Sequence, residues 1–261
     1  MLKMIKLGGS LITDKLVEQS FRADVMSRIA GEIATALPSL TEPLIIGHGS
    51  GSFGHFAAKR HDTITGVQTP EQWRGFAEVG FVAAELNFLI GQQLRRAGVP
   101  VFRFQSSAAL IAKDGIPQHM PLDNLQKALE NGLVPLVYGD VGFDTLRGGT
   151  IISTETLFTY LAQSLQVSEI FLVGEVPGVL DETGTVIPLM TPETFGQAQS
   201  AITGSRGTDV TGGMLTKVTD MLALVQARPN MTIHILDGLT EGVLRDALLG
   251  KSTLKTTIRA N

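Results

Sequence analysis

Four glycine-rich stretches hold the residues whose types and spacing could do chemistry: "KLGGSLITDK" at 6–15, "GHGSGSFGH" at 47–55, "YGDVGFDTLRGGTIISTE" at 138–155 and "GTDVTGGMLTKV" at 207–218. In the first, Gly8 and Gly9 follow an apolar run, so the chain can turn sharply and show N–H groups to an anion with no Cβ in the way. Lys6 stands just before that turn and Lys15 beyond it, and the spacing is not that of a Walker A loop. In the second, Gly47, Gly49, Gly51 and Gly54 permit close backbone approach, Ser50 and Ser52 add hydroxyls, and His48 and His55 could each donate to a phosphate oxygen. So much glycine and serine reads as a flexible loop rather than the interior of a helix or strand. In the third, Asp140 and Asp144 either hold the loop or face a nucleotide-bound cation, and Ser153-Thr154-Glu155 reads as a helix cap whose free N–H groups also suit a phosphate. In the fourth, Thr211, Gly212 and Gly213 open a helix with Lys217 about one turn in, within reach of an anion at that end.

Taken singly, each stretch has an ordinary explanation as a tight turn, a structural histidine, a capped helix or a solvated lysine. Together they describe a site for polyphosphate. Phosphoryl transfer through a loose transition state needs cations and backbone donors around the migrating group more than covalent help.

The elements that must position these corners alternate between short apolar runs and longer helical patterns. Strands are expected at 2–7, 43–47, 99–104, 133–138, 169–173 and 232–236, with helices at 23–37, 70–97, 122–131, 154–166, 213–227 and 242–249. This order predicts an α/β fold with a mainly parallel sheet, and the continuously apolar "LVPLVYG" and "EIFLVG" suit strands covered by helices on both faces. Ligands then belong at the strands' C-terminal ends. On the 70–97 helix, Trp73, Phe76, Gly80, Ala83 and Asn87 fall near one face, as core packing or as a pocket wall. Residues 188–207 have weaker periodicity and read as a mobile segment.

With 261 residues and 43% hydrophobic content, one compact unit spanning 1–261 is expected. The net charge of -4 argues against a nucleic-acid partner, and the absence of cysteine excludes disulfides and thiolate metal sites. No apolar run approaches the roughly 20 residues of a spanning helix, so no membrane partner and a cytoplasmic location are expected.

With the four corners in this order, the chain resembles the amino acid kinase superfamily and, within it, the isopentenyl phosphate kinases. The resemblance rests on "KLGGSLITDK", "GHGSGSFGH", "GDVGFD" and "TDVTGGMLTKV" and spans nearly the whole chain. The histidine closing the second corner is a feature of isopentenyl phosphate and fosfomycin kinases and is missing from aspartate, acetylglutamate and uridylate kinases. The resemblance implies a three-layer α/β/α sandwich, usually dimeric, with an N-terminal acceptor part and a C-terminal ATP part. It implies ATP with magnesium carried by the nucleotide, no protein metal ligand, and phosphorylation of isopentenyl phosphate to isopentenyl diphosphate in isoprenoid (mevalonate-pathway) supply. Carried over residue by residue, Lys6 would bridge the ATP phosphates and the transferred group, with Gly8, Gly9 and Ser10 as loop donors. Lys15 and Lys217 would neutralise the β/γ-phosphates beside Gly212 and Gly213, while Val173, Gly174, Gly178 and Val179 would border the adenosine. His55 would bind the acceptor phosphate with Ser50, Gly51, Gly54 and Thr154, and Phe76 and Gly80 would line its hydrocarbon tail. A fosfomycin-type phosphonate kinase and a nucleotide-binding sensor or storage protein without turnover are the alternatives. The family pattern is broken at Ser50, where glycine is usual and a Cβ would resist positive φ, and at Ser153-Thr154-Glu155 in place of Ser-Gly-Asp.

Overall fold

The computed structural model describes residues 1–196, 213–252 and 254–261. In chain order its strands are β1 (Leu2–Leu7), β2 (Leu44–His48), β3 (Val101–Arg103), β4 (Ile111–Lys113), β5 (Ile116–His119), β6 (Val134–Tyr138), β7 (Asp140–Asp144), β8 (Gly148–Ile152), β9 (Val167–Gly174), β10 (Leu189–Met190), β11 (Thr232–Asp237) and β12 (Thr256–Ile258). The helices used below are α1 (Gly9–Ile12), α2 (Ala23–Ala36), α3 (Gly51–His61), α4 (Pro70–Arg96), α5 (Asp123–Glu130), α6 (Thr154–Ser164), α7 (Gly213–Ala227) and α8 (Val243–Leu248).

The main sheet has the order β10-β12-β11-β9-β1-β2-β6-β3. Its neighbours pair in parallel except β11 with β12, because helical crossovers return the chain to the same edge. Successive residues of the central strands enter opposite cores. Ile5, Leu7, Ile46, Phe171 and Leu236 face α2, α3, α4 and α8, whereas Met4, Ile45, Ile170 and Ile235 face α6 and α7. That alternation with both faces covered is the expected α/β/α layering, and it explains why β2 and β6 are buried at every residue. Helix α4 starts on a full capping box, with Thr69 and Gln72 each accepting from the other's backbone N–H and Pro70 in the first turn.

Two expectations are corrected. The second glycine corner is not a loop, since Gly51–His61 is helix α3. Glycine weakens a helix by about 1 kcal/mol per residue relative to alanine, but Phe53 and Ala57 are buried in the core and pay that cost through packing. At Gly54 a Cβ would lie 2.5 Å from Ser50 Cβ, so this glycine serves close approach rather than flexibility. The third corner is also ordered, as an antiparallel hairpin of β7 and β8 within a second sheet of order β5-β4-β7-β8. Asp144 holds its turn, accepting from the amides of Asp114, Gly115, Leu146 and Arg147 at 2.7 to 3.1 Å. Of the segment expected to be mobile, 188–196 is described and includes β10, whereas 197–207 lies outside the described residues. No helix among the described residues is long and apolar enough to cross a membrane.

Candidate active site

The parallel strands β1, β2, β6 and β9 end side by side, with Leu7 in register with both His48 and Val173, and His48 with Tyr138. The first two glycine corners therefore emerge next to one another. Gly8 N–H donates to Val173 O at 2.8 Å and Gly49 N–H to Leu7 O at 3.0 Å. A Cβ on Gly9 would come within 2.7 Å of Gly51 N, so neither corner tolerates a side chain where they touch. Thr13 clips them together: its hydroxyl donates to Gly9 O at 2.7 Å and accepts from Ser52 N–H at 2.9 Å. Nothing in the local pattern singles out Thr13, because its role depends on a partner 39 residues away.

The left-handed residue here is Gly51, with φ of 51°, while Ser50 is right-handed with φ of -72°. The expected conflict at Ser50 therefore does not arise. The register of the turn moves the demand for positive φ one residue on, to a glycine.

Lys6 alternates with Ile5 and Leu7 along β1, so it faces α6, where its ammonium pairs with Glu155 at 2.5 Å. Burial disfavours the charged form of Glu155, yet Lys6 outweighs it and holds the carboxyl below its usual value, with Lys217 acting in the same direction. The structure thus brings Lys6, Glu155 and Lys217 into one electrostatic cluster. Sequence reasoning missed Glu155, since an acidic residue in a helix's first turn reads as a partner of the helix dipole. Ser153 does cap α6, accepting from Thr156 N–H at 3.0 Å.

His55 stands exposed on α3, one turn beyond the Gly9–Gly51 contact. Lys15 is exposed in the turn after α1, which is tied to α3 by Gln19 N–H to Ser52 O at 3.4 Å and by Glu18 to Arg60 at 2.6 Å. His48 is not a phosphate donor. It is fully buried, its ring stacks on Tyr138 at 5.5 Å, and burial lowers its pKa to about 4. The Thr154 hydroxyl is likewise spent, on His48 O at 2.6 Å, so what Thr154 can offer an anion is its main-chain N–H at the start of α6.

Beside these corners, α4 and β7 border an open cleft of about 570 Å³ walled by Trp73, Phe76, Phe81, Val141 and Phe143. Trp73 stacks on Phe143 and meets Phe76 edge-on, and Phe76 tilts against Phe143, with centroids 5.2 to 5.9 Å apart. A Cβ on Gly80 would meet Val141 at 3.0 Å, so glycine lets helix and strand approach there. The cleft adjoins the glycine corners, because Gly139, two residues before Val141, donates its N–H to His48 O at 3.1 Å.

The chain that forms these corners and the cleft beside them matches a known family model, that of the amino acid kinase family, over residues 1–237. The chain belongs to the amino acid kinase family. Over nearly its full length it is 32% identical to the isopentenyl phosphate kinase of Methanothermobacter thermautotrophicus, covering 98% of each chain. It is 30% identical to that of Methanocaldococcus jannaschii, covering 96% of each. A solved structure described as an isopentenyl phosphate kinase superposes with a TM-score of 0.82 at 30% identity, covering 99% of this chain and 100% of that one.

In this kinase, the positions that the resemblance sets against the adenosine divide. Val173 and Val179 turn their side chains into the two cores, and Val179 N–H is taken by the Thr256 hydroxyl at 2.8 Å. Gly178 is closed off by Thr256, whose Oγ1 a Cβ would approach to 2.5 Å, whereas Gly174 has open space around it. Gly213 begins α7 and Lys217 is exposed on it; Gly212 and Thr211 lie outside the described residues.

Proposed function

We propose that this chain transfers the γ-phosphoryl group of ATP to the phosphate of isopentenyl phosphate, giving isopentenyl diphosphate and ADP. The observation that carries the reading is the adjacency of a backbone-lined phosphate corner and a short aromatic cleft: one binds a charged head, the other an apolar tail. The full-length similarity to two isopentenyl phosphate kinases supports it.

In this reading the acceptor phosphate meets the N–H groups of Ser50, Gly51 and Thr154, with Gly54 leaving room and His55 donating to an oxygen that gains charge during transfer. Phe76 and Gly80 shape the tail's wall. Lys6, Lys15 and Lys217 neutralise the migrating group and the ATP phosphates, with donors from Gly9, Ser10, Gly212 and Gly213, while Gly8, whose N–H is taken by Val173 O, serves the turn and not as a donor. The base lies against the β9 end at Gly174, and Glu155 keeps Lys6 and Lys217 aimed inward. Preorganised charge of this kind lowers the barrier without a covalent intermediate. Magnesium travels with the nucleotide, consistent with its tendency to keep water ligands; no cluster of three or more His, Asp or Glu suited to a metal occurs among the described residues. The remainder of the reading follows the family resemblance: residues 1–261 as one kinase unit, a cytoplasmic homodimer in isoprenoid supply, with no nucleic-acid or membrane partner.

The test is ADP release with a panel of isopentenyl phosphate, dimethylallyl phosphate, fosfomycin, acetylglutamate, aspartate and UMP. Turnover is expected with the prenyl phosphates, and His55→Ala should lower it ~10²- to 10³-fold while ATP affinity stays near wild type. Activity confined to the other acceptors would overturn the assignment.

A further inference from the structure

His48 and Asn87 are both fully buried, and neither has a part in the reaction as described so far. Their hydrogen bonds run in one direction. The Arg103 guanidinium can only donate, and its Nε–H reaches Asn87 Oδ1 at 2.7 Å. This places the Asn87 amide nitrogen toward His48, where Nδ2 lies 3.0 Å from Nε2. The Asn87 nitrogen can only donate, so Nε2 accepts and the ring proton sits on Nδ1. Nδ1–H then donates to Gly49 O, which lies 3.0 Å away. Stacking on Tyr138, with ring planes 5° apart, keeps the imidazole from turning. The depressed pKa of about 4 agrees with a neutral ring that keeps a lone pair for Asn87.

The carbonyl held by this relay belongs to the peptide linking Gly49 to Ser50. That bond is trans, so its N–H points opposite to its C=O. With Gly49 O fastened to the buried imidazole, Ser50 N–H is directed away from the core. It has no hydrogen-bond partner among the described residues. The preceding carbonyl, His48 O, is fixed as well, by the Thr154 hydroxyl at 2.6 Å and Gly139 N–H at 3.1 Å. A glycine corner that would otherwise sample several peptide orientations is thus locked in one.

We propose that His48, oriented by Asn87 and Arg103, is a positioning residue that aims the Ser50 N–H at the acceptor's phosphate. The inference rests on the reading of the second glycine corner as the acceptor clamp. His48 touches no substrate and acts through the peptide it holds.

Steady-state kinetics on His48→Phe, His48→Asn and Asn87→Leu test it. Phe keeps a ring against Tyr138 but cannot donate to Gly49 O, whereas the Asn amide can stand in for Nδ1–H. His48→Phe and Asn87→Leu should raise KM for isopentenyl phosphate about tenfold, the scale of one neutral hydrogen bond, with KM for ATP within about twofold of wild type. His48→Asn should recover most of the loss. An unchanged acceptor KM in His48→Phe, or an equal rise in both KM values, overturns the proposal. Nitrogen-15 NMR of the wild-type imidazole decides independently of any variant's folding: a proton on Nδ1 is required, and an Nε2–H tautomer overturns the relay. Because that measurement needs no substrate, failure of the positioning role is distinguishable from failure of the acceptor assignment, which the wild-type panel reads.

Discussion

The cluster of Lys6, Glu155 and Lys217 shows how little of a residue's role resides in its own neighbourhood. Lys6 is legible as a candidate because it stands at the end of an apolar run before two glycines, and Lys217 because it follows another pair. Glu155 acquires meaning only from its 2.5 Å contact with Lys6, 149 residues away. Lys6 is ion-paired with a part-buried carboxylate that Lys217 also stabilises electrostatically, so both ammonium charges are partly neutralised until a polyphosphate arrives. Removing the carboxylate charge frees both cations to shift toward ATP before transfer. Glu155→Gln should therefore lower kcat by about tenfold or more while KM for ATP stays level or falls, because misplaced cations still attract phosphate. Initial rates with ATP varied check this, and a raised ATP KM with unchanged kcat would contradict it.

At the level of elements, the same residue type does opposite work in neighbouring helices. Gly51 at the start of α3 has φ of 51°, and a Cβ there would lie 2.3 Å from Thr13 Oγ1. Gly31 within α2 has open space around its would-be Cβ. Gly51→Ala should lose about 1–2 kcal/mol for the left-handed conformation alone, and more from the collision with the Thr13 clip. Gly31→Ala should gain about 0.5–1 kcal/mol from helix propensity. Urea unfolding of the two variants reads both signs. The α3 region misleads a local reading because its glycines have low helix propensity, and only Phe53 and Ala57 reaching the core make the helix favourable. The β7–β8 hairpin is hidden for a related reason: the four amide bonds to Asp144 that form its turn come from two separate segments.

At the scale of the whole molecule, burial of two histidines makes stability fall on the acid side. Desolvation lowers His48 to about 4 and His234 to about 3, from the ordinary histidine value of 6.5. Below pH 6.5 the unfolded chain binds protons that the native state refuses, so stability is full above that pH and declines as pH falls toward the native values. The slope approaches about 1.4 kcal/mol per pH unit for each histidine once both titrate in the unfolded state. Urea midpoints should fall between pH 7 and pH 5, and His234→Gln should make that fall shallower; a flat profile would contradict this. Asp144 acts lower on the scale: burial alone would raise it, but its amide donors bring it to about 2, so its contribution is lost only as pH drops from about 4 through that value. The main sheet, its helical cover and the strand ends that host the glycine corners are determined by the sequence itself, because period-two and helical apolar patterns are local and register on one chain segment at a time. Which corner meets which was decided only by the tertiary structure. The Gly9–Gly51 contact, the Glu155 clasp on Lys6 and the burial of His48 behind the second corner each depend on pairing between distant strands, where a shift of one residue would send every side chain to the other face.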